Sequence, residues 1–179
     1  MKIFVIGGKA QCGKTTFGNL LREYLKEYGY KPCVMHITEP LYQYAENYFD
    51  WNRYTDKKPR EFLQKMGIEI IQEKMGKKDF LLNRLYEDID ILSNFFDAFI
   101  ITDARLVHEF ESLKLKYDDV ISIKIERLDG YNDLSLEESL HITEIDLDHY
   151  HEFNYIIINR DLNGLKDSAL EIVKREEHL

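Results

Sequence analysis

The chain has 179 residues, enough for one α/β domain with a full core and cramped for two independent ones. Its 24 Lys and Arg against 33 Asp and Glu give a formal charge of −9, which argues against a nonspecific grip on nucleic acid or on an anionic membrane. Two cysteines, Cys12 and Cys33, offer neither a disulfide framework nor metal-ligand spacing, and such low usage suits a reducing cytoplasm.

Met1-Lys2 runs straight into an apolar strand that Gly7 ends, so no signal peptide is expected. No uncharged apolar stretch approaches the roughly 20 residues of a membrane span. Ile3-Phe4-Val5-Ile6 predicts a buried strand leading into Gly8-Lys9-Ala10-Gln11-Cys12-Gly13-Lys14-Thr15-Thr16. Gly8 and Gly13 enclose four residues and precede Lys14 and Thr15, the spacing at which successive backbone N–H groups wrap a polyphosphate. In such a loop Lys14 reaches the β- and γ-phosphates of ATP and the Thr15 hydroxyl ligates Mg²⁺. A helix beginning at the loop's end favours anionic phosphate through its dipole and unpaired N–H groups. Cys12, inside the loop, reads either as a small filler or as a thiol activated by that helix terminus.

Gly29 is expected to stop the first helix, and residues 31–37 read as a second buried strand. Thr38, Glu39 and Pro40 follow its C-terminal end and should face the ligand cleft. Residues 41–49 look helical and rich in tyrosine, for packing or for a nucleobase. After a polar loop, Pro59 opens a helix in which Phe62, Leu63 and Met66 form an apolar stripe. That leaves Arg60 and Gln64 on a neighbouring face, either simply solvated or serving as a phosphate cation beside a base-reading amide. Residues 68–94 continue as helix, with a break near 75–79.

Ala98-Phe99-Ile100-Ile101-Thr102-Asp103 is an apolar run ending in an acid, the Walker B arrangement that delivers a carboxylate to Mg²⁺. Arg105 comes just beyond it, where a planar cation suits phosphate; the alternative is a helical Arg105–Glu109 ion pair. Residues 118–126 predict a further strand with Arg127 at its end. Residues 128–158 contain no Lys or Arg but carry Asp129, Asp133, Glu137, Glu138, Glu144, Asp146, Asp148 and Glu152, so no mobile lid arginine is available there. His141, His149 and His151 lack the flanking ligands of a zinc site and read as surface residues. Phe153-Asn154-Tyr155-Ile156-Ile157-Ile158-Asn159 predicts the last strand, and residues 161–177 a closing helix with Leu165, Ala169, Ile172 and Val173 inward.

With the phosphate loop, Arg60-Glu61-Phe62-Leu63-Gln64-Lys65-Met66-Gly67, Thr102-Asp103-Ala104-Arg105, His141-Ile142-Thr143-Glu144 and Tyr155-Ile156-Ile157-Ile158-Asn159, the chain resembles the phage-type deoxynucleoside monophosphate kinases of the P-loop group over nearly its whole length. The resemblance implies an α/β P-loop NTPase fold, a five-stranded, mainly parallel sheet flanked by helices. It implies one domain over residues 1–179, with substrate-binding helices at about 40–96 and a short lid-like segment at about 128–152. It places ATP on the loop with Asn159 near adenine, and the acceptor nucleotide near Glu39, Arg60, Gln64, Asp103, Arg105, Glu109, His141 and Glu144. Catalysis then falls to Lys14, Asp103, Arg105 and Arg127, with Thr15 and Asp103 for Mg²⁺; Arg160 is a further cation for closure. The expected reaction is ATP-dependent phosphorylation of a (deoxy)nucleoside monophosphate in the cytoplasm. Small nucleotides are the expected partners, without nucleic acid or membrane and with room for a homodimer. The alternatives are a kinase of another small acceptor, such as dephospho-coenzyme A, and a nucleotide-dependent binding module.

Overall fold

A computed structural model describes residues 1–128 and 134–177; Asp129 and Asp133 of the expected lid-like segment lie outside them. The chain divides into two compact units, residues 1–35 with 92–179, and residues 36–91. No helix among the described residues is long and apolar enough to cross a membrane.

The first unit holds five strands: β1 (Lys2–Gly7), β2 (Pro32–Met35), β3 (Ala98–Ala104), β4 (Val120–Arg127) and β5 (Tyr155–Asn159). They form one sheet in the order β2-β3-β1-β4-β5, with every pairing parallel. The register sets Phe4 beside Ile100 on one side and Ile121 on the other, so the central strands bury an apolar ladder on both faces. Parallel strands covered on both faces read as continuous apolar runs, and this is why the sequence shows them so plainly.

α1 (Lys14–Glu27) and α8 (Leu162–Glu176) pack together on one face, where Phe17, Leu21 and Leu25 meet Leu165, Ala169, Ile172 and Val173 over Phe4, Ile6 and Ile123. Gly29, with φ of +90°, takes the left-handed conformation just past the end of α1. On the opposite face lies α5 (Val107–Lys116), whose Phe110 fills the space a side chain on Gly7 would need: a Cβ there would stand 2.5 Å from Phe110 Cζ. The described part of the 128–152 segment contains α6 (Leu136–Ser139), α7 (Ile142–Ile145) and a 3₁₀ turn (Asp146–His149).

The second unit is helical. α2 (Glu39–Tyr48) starts with Pro40 in its first turn and turns Leu41 and Ala45 inward. α3 (Arg60–Gln64) passes directly into a π-helical stretch (Lys65–Lys74), and α4 (Phe80–Leu92) follows after Gly76 at φ +65°. The π winding departs from the expected α-helix. The apolar residues recur every fourth position, at Phe62, Met66 and Ile70 and at Leu63, Gly67 and Ile71, a spacing wider than the α period of about 3.6. A Cβ on Gly67 would lie 3.1 Å from Leu41 Cδ1, a close approach of backbone to α2.

Phe17 has no solvent exposure and stands at the centre of the α1–α8 face. Phe17→Ala should lower the unfolding free energy by about 3–5 kcal/mol in urea titration. The same change at Phe95, which is 69% exposed, should stay within about 0.5 kcal/mol of the parent.

Candidate functional site

β1 delivers the chain to its C-terminal edge and the phosphate loop turns it back into α1. Gly8, Gln11 and Gly13 have φ of +138°, +58° and +109°. A Cβ on Gly8 would sit 2.3 Å from the Ile125 carbonyl oxygen and one on Gly13 2.7 Å from Asn159 Nδ2, so both positions exclude a side chain by conformation and by space. Gly13 caps α1 in the left-handed conformation without a side-chain hydrogen bond, and a helix N-terminus favours anions through its dipole. Thr15 and Thr16 are exposed on that turn.

Lys14 is buried and folds back over the loop, donating from Nζ to the carbonyls of Gly8 at 2.7 Å and Lys9 at 2.6 Å. Cys12 is 2% exposed and packs its sulfur against Gly8, in accord with the filler reading. Its carbonyl accepts from Asn159 Nδ2 at 2.9 Å, which ties the loop to the end of β5.

Two cavities flank the loop. One of about 450 Å³ is lined by Gln11, Thr16, Arg127, Asn159, Arg160 and Leu162. Another of about 270 Å³ is lined by Lys9, Ala10, Lys124, Arg127, Glu144 and Asp148. Arg127 borders both.

At the end of β3, Thr102 is 2% exposed and its hydroxyl is the buried side-chain polar atom without a partner among the described residues. Asp103 follows it, half-buried. Thr102 packs its methyl toward Gly18 of α1, and successive strand residues face opposite sides of the sheet, so its hydroxyl forms no donor set with Asp103; Thr15 and Asp103 carry the oxygen donors that a hard cation such as Mg²⁺ would take. Among the described residues no group of three or more His, Cys, Asp or Glu could hold a metal ion.

The turn after β3 corrects one sequence reading. Glu109 forms no side-chain pair with Arg105. Its Oε2 accepts the backbone N–H groups of Arg105 at 2.7 Å and Leu106 at 2.9 Å, capping α5. Leu106 is extended, so Arg105 precedes the helix and the geometry of residues one turn apart does not apply. The Arg105 guanidinium pairs instead with Glu144, whose other oxygen accepts from the Ala10 N–H at 2.8 Å. The family resemblance singled out Glu144 in His141-Ile142-Thr143-Glu144, but its bridging of Arg105 and Ala10 was not legible from local pattern. The His141 ring caps α7, with Nδ1 accepting from the Thr143 N–H at 3.3 Å.

In the second unit, Glu39 forms an ion pair with Arg53 at 2.8 Å, and Arg53 also meets Glu46 at 3.1 Å and lies 5.3 Å from the Tyr42 ring centre. Arg53 is a residue the sequence reading did not single out. Arg60 and Gln64 begin and end α3, both half-buried.

No family model and no curated protein matches the chain. Solved structures do. APS kinase of Mycobacterium tuberculosis, in complex with AMPPNP and APS, superposes with a TM-score of 0.60 at 12% identity over 98% of this chain and 97% of its own. Shikimate kinase from Acinetobacter baumannii, in complex with shikimate, gives 0.56 at 16% identity over 99% and 93%. A sugar kinase from Janibacter sp. HTCC2649 gives 0.53 at 14% identity over 98% and 93%. The fold is the α/β P-loop NTPase fold. Its phosphate loop and β3 carboxylate stand at the carboxyl edge of the sheet, where ligands of open parallel sheets collect.

Glu109 is fully buried, and loss of solvation pushes its carboxyl up to about 7 against the opposing pull of its two N–H donors. The folded state therefore holds this proton more tightly than the unfolded one. The resulting stability is complete below the ordinary value of 4.5 and is lost as pH rises through about 7. Glu109→Gln keeps an acceptor oxygen and cannot ionise. Urea midpoints measured at about pH 5 and pH 8 should fall more for the parent than for this variant.

Proposed function

We propose that this protein transfers the γ-phosphoryl group of ATP to the phosphate of a (deoxy)nucleoside monophosphate, releasing ADP and the diphosphate. The observation that carries the reading is the placement of Arg105. Through Glu144 its guanidinium stands one carboxylate away from the Ala10 N–H of the phosphate loop, where a second anionic group would meet it. The Thr102-Asp103-Ala104-Arg105 motif and its family resemblance supply the acceptor class.

Gly8 to Thr16 cradle the triphosphate, and Asn159 lines the cavity on the nucleoside side. An acceptor phosphate oxygen attacks in line, and because that oxygen is already anionic no strong base is needed. Lys14, Arg105 and Arg127 carry the charge that spreads over the transferring group. Thr15 and Asp103 would hold Mg²⁺, which would supply charge neutralisation to the triphosphate. Arg60 and Gln64 would be the acceptor contacts that the resemblance adds, and Glu39 the one suggested by its place after β2, with Glu109 acting from behind as the cap of the Arg105 turn. The reaction belongs in the cytoplasm with soluble nucleotides as partners.

A second reading, transfer to a hydroxyl of another small acceptor such as dephospho-coenzyme A, draws on the APS and shikimate kinases that share the fold. Such an acceptor must lose a proton, and Asp103 would be the base.

ADP release measured with Mg-ATP against the deoxy- and ribonucleoside monophosphates, dephospho-coenzyme A, APS and shikimate separates the two. Turnover confined to monophosphates is the expected result, and turnover confined to a hydroxyl acceptor would replace it with the second reading. Lys14→Ala should lower kcat by at least about a hundredfold without unfolding the chain, and an unchanged kcat would remove the loop from the chemistry.

A further inference from the structure

We infer that Glu144 is a positioning residue that aims Arg105 at the phosphate loop, so that one lid carboxylate couples the nucleotide cradle to the arginine facing the transferred group. This rests on the phosphoryl-transfer reading above. Glu144 keeps only 5% of its side chain exposed, and its two oxygens divide between two elements: one takes the Ala10 N–H at 2.8 Å, the other the Arg105 guanidinium. A buried carboxylate is tolerable only with such partners, so neither contact is idle. The backbone N–H fixes the direction of the carboxylate plane. A fixed acceptor then selects one orientation from the many open to an arginine side chain, before any substrate arrives.

The segment around Glu144 is anchored in the same alternating fashion. Asp146 Oδ2 accepts from the Val107 N–H at 2.6 Å, beside Arg105, and Asp148 pairs with Lys9 of the loop at 2.9 Å. The Leu147 carbonyl accepts from the buried Lys124 Nζ at 3.1 Å. Acids at three alternate positions thus grip the loop and the turn beyond β3. Of these contacts, Asp148 to Lys9 is exposed and contributes little, whereas the Glu144 bridge is buried. The effect on chemistry therefore concentrates at Glu144.

A purely architectural role for the segment would look different from aiming. The decisive comparison is a double-mutant cycle on kcat with Glu144→Ala, Arg105→Ala and both together, alongside Asp146→Asn, which loosens the segment without touching Arg105 or the loop. Glu144→Ala should lower kcat by about tenfold to a hundredfold while the Kd for ATP stays within about threefold, and it should add almost nothing in the Arg105→Ala background. Glu144→Gln, which keeps one acceptor oxygen, should recover part of the loss. Asp146→Asn should lower Tm yet leave kcat within about threefold. Additive losses, an unchanged kcat, or an equal loss in Asp146→Asn would overturn the inference. So would tighter ATP binding by Glu144→Ala, since Glu144 would then be occupying the nucleotide's place.

If the parent transfers phosphoryl to no monophosphate, the functional reading fails on its own and the cycle is read on acceptor-independent ATP hydrolysis. Hydrogen exchange of the free protein gives a readout that needs no acceptor. The Ala10 amide and the Arg105 Nη1 protons should be protected in the parent and lose protection in Glu144→Ala; unchanged protection would overturn the inference.

Discussion

At Gly8 and Gly13 the loop between β1 and α1 has room for backbone and for nothing else. Ile125 closes on Gly8 and Asn159 closes on Gly13, each nearer than any Cβ could stand. The neighbours come from β4 and β5, so the loop's shape is imposed by the sheet order that brings those strands alongside β1. Positive φ at Gly8, Gln11 and Gly13 turns the peptide units, and the uncapped first turn of α1 continues the row of donors. Backbone N–H groups arranged in this way can bind anions without any net positive charge on the molecule, so a formal charge of −9 is compatible with the proposed polyphosphate ligand. The field is local, and Lys14, Arg105 and Arg127 are the cations of the proposed chemistry.

An acidic segment beside the loop proposed to bind phosphate is the less obvious feature. Carboxylates near a polyphosphate should repel it, yet Glu144, Asp146 and Asp148 are each matched to a donor: the Ala10 N–H with Arg105, the Val107 N–H, and Lys9. Their charges are thereby absorbed into bonds that hold the loop and the β3 turn in register. Glu109 does comparable work from the α5 side, where its burial raises its proton affinity and its Oε2 fixes the two backbone groups that precede the helix. The arginine of the proposed chemistry is thus held at its backbone by one carboxyl group and at its guanidinium by another.

What the sequence disclosed and what it hid follow from the range of the forces involved. The strands appeared as apolar runs because both faces of the parallel sheet are covered, and the phosphate loop appeared because its glycine spacing is a local necessity. Asp103 stood out as the acid near the end of the β3 apolar run and Arg105 as the cation just past it. The Arg105 partner was not legible, because Glu144 is distant in sequence and meets it only once the lid segment folds across the β3 turn. Glu39 was legible as a residue following β2, but its ion pair with Arg53 depends on a polar loop with no regular pattern. The π-helical stretch was read as α because apolar residues at every fourth position satisfy both windings, and only packing decides between them.

Phosphorus NMR of the protein with Mg-ATP and a mixture of deoxynucleoside monophosphates tests the central claim most directly, because it shows where the γ-phosphoryl group goes. The account predicts new β-phosphoryl signals from a deoxynucleoside diphosphate, growing in step with the conversion of ATP to ADP. Orthophosphate as the sole product, or bound ATP that is never consumed, would contradict it.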